Sequence, residues 1–278
     1  MPFPRFLFHS LRTNTRTWLG ISVVMASVWM TGCAMLPAGG ASEGSPGTVA
    51  ESELHRLAQT RLQLAALHFE EGRAEVALGE VAQALHANPR YVDAYNLKGW
   101  IHLSLNDYRL AHESFSQALA LRPGDADNLY NLGWLQCQQA QYAEADKNFD
   151  AALGAPRSSS TSVMRLWLAK GVCLRQAGRL SGAVRALEKA LEFDPGDPTV
   201  AYNFADALHA QGDAERARFY VRRINNGPWN SAASLWLGIK VESSLGDRIA
   251  VRQLADQLHK RFPDSKEWQR FERGAFDD

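Results

Sequence analysis

The sequence predicts an all-α fold, a superhelical stack of about six helix-turn-helix repeats. Small residues and prolines recur at a spacing of thirty-four residues, and between them the apolar residues follow the helical period. Composition agrees: 46% of the 278 residues are hydrophobic, enough for a sizeable core, and glycine plus proline are too sparse for a disordered chain. Thirty basic and thirty acidic side chains balance, which leaves no electrostatic footprint for nucleic acid and no polybasic patch for anionic lipid. The partners this composition allows are proteins and small molecules.

The clearest copy runs from Val92 to Asp125. Gly99 and Ala111 are small where two antiparallel helices cross at close range, Tyr95 and Phe115 fill the space beside the crossing, and Pro123 stops the second helix. With Ala118 these positions resemble the tetratricopeptide pattern, from which Lys98 and His102 depart. Such a hairpin cannot bury its apolar face alone, so neighbours must stack against it.

Taken in order, residues 1–32 hold Arg5, Arg12 and Arg16, no acid, and the apolar run Trp18–Met30. That run is too short to span a bilayer and has the layout of a secretory signal. It ends in Met30-Thr31-Gly32-Cys33. This resembles the bacterial lipobox, with Met30 where Leu is usual, and makes Cys33 the expected lipidation site. The alternative is an ordinary signal peptide with an incidental cysteine. Cleavage before Cys33 leaves 27 basic against 30 acidic residues. Several acyl chains on one cysteine anchor stably where one is marginal. Ala34 rather than Asp after the cysteine implies, by resemblance to lipoprotein sorting, the outer membrane and its periplasmic face. Residues 33–52, rich in Gly, Pro and Ser over Pro37–Gly47, read as a flexible tether. Residues 53–278 are the repeat domain.

The first repeat carries Ala65, Gly72, Ala77, Val81 and Ala84 and closes at Pro89. The third is defined by Leu129, Leu132, Gly133, Ala145, Phe149 and Ala152 and closes at Pro156; the fourth runs from Trp167 and Gly171 to Pro195. Between them the polar run Arg157–Ser162 reads as a loop carrying four extra residues. The fifth holds Tyr202, Phe204, Ala205, Leu208, Gly212, Ala217 and Val221. In the sixth, Ile239 and Val251 replace small residues, as a terminal capping unit allows. Lys266–Arg273 is expected to close the domain as a short helix, with Trp268 and Phe271 packing back. Cys137 and Cys173 fall at different positions of successive repeats, which favours two buried small apolar side chains over a disulfide.

On each first helix, residues five, nine and twelve share one face. In tetratricopeptide stacks that face lines a groove. In the first three repeats it is apolar and aromatic: Leu62, Ala66 and Phe69, then Asn96, Trp100 and Leu103, then Tyr130, Trp134 and Cys137. Large rigid aromatics dominate interface energetics, so Leu62, Phe69, Asn96, Trp100, Leu103, Tyr130 and Trp134 are the candidate partner-binding residues. The alternative is that Trp100 and Trp134 pack between helices and meet no partner. No catalytic constellation, cofactor site or metal site is legible. The histidines lack companions at ligand spacing, and the glycines fall on helix crossings rather than in a phosphate-cradling loop.

Lipobox, tether and repeats together resemble the PilF/PilW family of type IV pilus biogenesis lipoproteins. Asn131-Leu132-Gly133, Tyr202-Asn203-Phe204-Ala205 with Leu208 and Gly212, and the closing Arg261-Phe262-Pro263-Asp264-Ser265 carry the likeness. The resemblance implies a non-enzymatic pilotin, anchored in the outer membrane. Its implied partner is a PilQ-like pilus secretin subunit, whose targeting and multimerisation it promotes. The competing expectation is a scaffold lipoprotein for another envelope assembly machine.

Overall fold

The computed structural model describes residues 46–156 and 160–276. The signal sequence, Cys33 and the tether up to residue 45 lie outside the described residues, as do residues 157–159. Among those described there are thirteen α-helices and no strand. The chain divides into two units, one ending at Asp107 and one beginning at Tyr108. The first holds α1 (Pro46–Glu70), α2 (Ala74–Ala87) and α3 (Val92–Ser104). The second holds α4 (Tyr108–Leu121), α5 (Ala126–Gln138), α6 (Tyr142–Gly154), α7 (Ser160–Gln176) and α8 (Leu180–Phe193). It continues through α9 (Pro198–Ala210), α10 (Ala214–Asn225), α11 (Ala232–Ser244), α12 (Arg248–Arg261) and the short α13 (Lys266–Glu272).

The turn within each repeat is built the same way six times. Arg73 N–H donates to the carbonyl of His68 at 2.9 Å, and Asp107, Gln141, Arg179, Asp213 and Asp247 make the same five-residue reach back. This bond requires a left-handed residue just before it. Gly72, Gly178, Gly212 and Gly246 take that conformation, and so do Asn106 and Ala140, at φ 59° and 58°. Helix starts are capped by side chains that accept orphan amides: Asp125 from Asn128, Asp197 from Val200, Asp213 from Arg216, Asp247 from Ala250. Ser231 and Ser234 form a reciprocal capping box at α11.

Packing follows the small-against-large rule. A Cβ on Gly133 would stand 3.1 Å from a Phe149 ring carbon, and one on Gly171 would stand 2.5 Å from Leu187 Cγ. The sixth repeat inverts the pair: Ile239 takes the small position and Ala255 the large one, both inside one buried cluster with Leu235, Trp236 and Leu258. Volume is thereby conserved, the kind of exchange that cores tolerate best. Trp268 and Phe271 of α13, with Phe276, pack on that cluster. In the first unit Leu62, Ala65, Ala77, Val81, Ala84 and Leu97 form one core.

Three expectations are corrected. Helix α1 begins at Pro46, so residues 46–52 of the expected 33–52 tether are helical; proline suits the first helical position, and after Gly47 no Gly or Pro follows before Gly72. Helix α7 begins at Ser160, so residues 160–162 of the expected 157–162 loop are helical. Cys137 and Cys173 are joined as a disulfide, with Cα atoms 5.7 Å apart. Cys137 lies four residues past Gly133 and Cys173 two past Gly171. These different positions are what bring the two sulfurs together, because α5 and α7 pack on each other and present different faces across the contact.

Candidate functional site

In the first unit, Leu62 is buried in the core with Ala65 and Ala66, and Phe69 packs half-buried against it. Asn96 is half-buried, while Trp100 and Leu103 are only 3% and 5% exposed. In the second unit, Tyr130 is buried. The Arg165 guanidinium lies 4.9 Å from its ring centroid and Phe149 tilts against it at 6.3 Å. Burial above all pushes the Tyr130 phenol up to about 12; Arg165 pulls the other way. Trp134 is half-buried.

The sequence-predicted strip is therefore mostly core. Leu62, Trp100, Leu103 and Tyr130 present almost no surface to a partner, and only Phe69, Asn96 and Trp134 retain some. The physical reason is plain: a large apolar side chain at helical spacing gains about 2 kcal/mol by entering the space between helices, and these four are within reach of it.

A different face does stand open. On α1, Leu54, Leu57, Leu64 and Leu67 are between 37% and 55% exposed, and Val76 at the start of α2 is 46% exposed. From Leu54 to Leu67 the helix rises about 20 Å. The opposite side of the same helix, Ala58, Leu62 and Ala65, is buried. Helix α1 is thus apolar on two faces, and α2 and α3 cover only one of them. The signal was in the sequence only in part: Leu54, Leu57, Leu64 and Leu67 are legible as extra leucines, but Glu53, Arg56 and Thr60 are interspersed with them along the helix. Of the charges on this helix, Arg61 pairs with Glu80 at 3.1 Å across α1 and α2.

Nothing among the described residues gathers three or more His, Cys, Asp or Glu at metal-binding distance, and none of the described helices is long and apolar enough to cross a membrane. The arrangement offers packing surfaces rather than a convergent polar site.

Comparison with known proteins agrees with this architecture. Tetratricopeptide-repeat profiles match residues 62–126, 98–159 and 130–198, and a further one matches 174–227. The type IV pilus assembly protein PilF of Pseudomonas aeruginosa is 28% identical over 212 residues, covering 76% of this chain and 83% of its own. The crystal structure of PilW, described as a widely conserved type IV pilus biogenesis factor, superposes with a TM-score of 0.72. That match has 28% identity and covers 77% of this chain and 97% of PilW. The solved structure of Pseudomonas aeruginosa pilF gives 0.66 at 26% identity, over 81% and 99% of the two chains.

Proposed function

Because the chain belongs to the tetratricopeptide-repeat family, whose stacked helices hold protein segments, we propose that it is a non-enzymatic assembly factor of type IV pilus biogenesis. In this reading it is a pilotin: a lipoprotein held by Cys33 at the periplasmic face of the outer membrane. It binds the pilus secretin subunit and carries it to the site where the secretin multimerises. The likeness to PilF and PilW over about three quarters of the chain supports the pilus assignment. The Cys137–Cys173 disulfide fits an oxidising compartment such as the periplasm.

The observation that carries the mechanism is the open leucine face of α1. An apolar helix face about 20 Å long is what an amphipathic partner helix covers, with anchors at i, i+3 and i+7 spacing. Covering four half-exposed leucines contributes about 1 kcal/mol each. Within the same unit, Phe69 and Asn96 are the members of the predicted strip that still reach the surface and join the candidate contacts. Helix α1 is also the first element after the tether, so a partner docked there is held close in sequence to the lipid.

Two variants test the reading. Leu57→Asp with Leu64→Asp should leave the helical content unchanged and abolish co-purification of the secretin. Cys33→Ser should leave the repeats folded and lose secretin multimers from the outer membrane. Undiminished multimers in either variant would exclude the pilotin mechanism. Co-purification of a different envelope complex, lost in the same leucine variant, would instead support a scaffold for another assembly machine.

A further inference from the structure

The leucine face of α1 has a symmetry that a docking surface for a foreign helix does not need. Leu54, Leu57, Leu64 and Leu67 are separated by three, seven and three residues, so the spacing reads the same from either end. All four are exposed, and each lies within about 70° of a common line along the helix. The midpoint falls between Thr60 and Arg61. A second copy of α1, run antiparallel about a two-fold axis through that midpoint, sets Leu57 opposite Leu64 of the other copy. Leu54 of one copy and Leu67 of the other then stand level at each end, one on either edge of the contact. A two-fold interface must be complementary to itself, and this spacing is.

The groups at the axis permit the approach. Thr60 is short, and its hydroxyl already donates to the carbonyl of Arg56 at 3.0 Å. Arg61 is held by Glu80 at 3.1 Å, so two copies bring together two ion pairs rather than two free cations.

The contact is one helix on one helix over about 20 Å, small beside the roughly 1,600 Å² of a standard stable interface. The pair is therefore weak and exchangeable. Twelve residues separate Cys33 from Pro46. An extended chain of that length reaches about 40 Å, as far as the 25 residues of α1 extend, so two copies anchored in one membrane can pair in this way.

We propose that α1 pairs antiparallel with α1 of a second copy, and that this pairing covers the leucine face until a partner helix displaces it. The pairing stands by itself; the displacement rests on the function proposed above.

Leu57→Cys and Leu64→Cys, both at exposed positions, are placed in full-length chains with different epitope tags and co-expressed in cells that lack the secretin. Isolated envelopes are oxidised with copper phenanthroline. A disulfide needs Cβ atoms about 4 Å apart, whereas like positions of the two copies lie about 10 Å apart along the axis. Mixed-tag dimers should therefore exceed those between differently tagged copies of either single variant by roughly tenfold. Gln59→Cys with Leu64→Cys, which turns one thiol to the far side of the helix, should give no more than the parent. No mixed dimer above the parent, or equal yields from a single variant, would overturn the pairing; thiols then shielded from a water-soluble maleimide would assign the face to lipid instead. Co-expressed secretin should reduce the mixed dimer, and an undiminished yield beside co-purifying secretin would overturn the displacement. Secretin that does not co-purify would overturn the function proposed above, with the pairing still read from the cells that lack it.

Discussion

The junction between the third and fourth repeats and that between the fifth and sixth hold neighbouring helices by different means. At the first, the spacing lengthens: thirty-eight residues separate Gly133 from Gly171. Here a covalent bond joins α5 to α7. Asp146 adds ion pairs to Lys170 at 3.0 Å and Arg179 at 2.7 Å, and Arg165 reaches Asp127 at 2.7 Å. At the second, the thirty-four-residue spacing from Gly212 to Gly246 is kept. There the carboxylate of Glu242, 1% exposed, is gripped by Arg218 at 3.1 Å and Arg222 at 2.7 Å. A disulfide works largely by restricting the unfolded chain and tolerates an irregular loop between its ends. A buried carboxylate acts in the folded state and demands that α10 and α11 keep register. The irregular junction thus carries the tie that forgives irregularity.

The largest break should come at the regular junction. Glu242→Ala strands two guanidiniums beside a buried void, and losing one partner of a buried ion pair costs about 4 kcal/mol. Urea denaturation should show a correspondingly lower midpoint, and Glu242→Met, which fills the volume, should lose less than Glu242→Ala. Next comes Cys137→Ser with Cys173→Ser. The bond closes thirty-six residues, worth about 3 kcal/mol. In excess dithiothreitol the parent should fall to the melting temperature of the double variant. A parent unaffected by reductant would mean that the ion pairs alone hold α5 to α7.

The repeats were legible because their small residues, apolar spacing and stop signals are local, and the thirty-four-residue recurrence repeats them. What a single stretch does not encode is which of two apolar faces meets a neighbour. Trp100 and Tyr130 look like recognition residues by type, yet both are buried, because burial is decided by elements many residues away. The leucines of α1 look like ordinary core residues by type, yet they are exposed, because neither α2 nor α3 covers them. The disulfide was hidden for the same reason: Cys137 and Cys173 stand at unequal repeat positions, and only the approach of α5 to α7 makes unequal positions opposite ones. The Ile239 and Ala255 exchange was half visible, since the large residue at the small position was plain but its compensating alanine was not.

The ion pairs of the irregular junction give a smaller and pH-dependent effect. Burial raises the Asp146 carboxyl, but hydrogen bonds and charge from Lys170 and Arg179 outweigh it, and the net shift is downward from 3.8. A carboxylate whose folded value is depressed contributes stability that is fully present above its unfolded value. That stability is lost as pH falls through the folded one. Asp146→Asn should therefore lower stability at neutral pH by less than either variant above, with the difference from the parent closing below pH 3.8. Thermal melts across that range would read it, and a difference that persists in acid would assign the loss to packing.

The smallest effects lie in the turns and compare the two junctions most directly. Ala140 holds the left-handed position beside Cys137 at φ 58°, where Gly246 stands in the sixth repeat at φ 77°. A Cβ on Gly246 would meet nothing within 4 Å, so backbone strain is the only quantity that changes when the two residues are exchanged. A side chain in that conformation costs roughly 1–2 kcal/mol, and the extra freedom of glycine in the unfolded chain offsets part of it. Ala140→Gly should raise stability, and Gly246→Ala should lower it, each by about 1 kcal/mol. Equal and opposite shifts in melting temperature would mean that the turns are one interchangeable part. A gain at Ala140 well below the loss at Gly246 would mean that the disulfide three residues away already absorbs the strain of its turn.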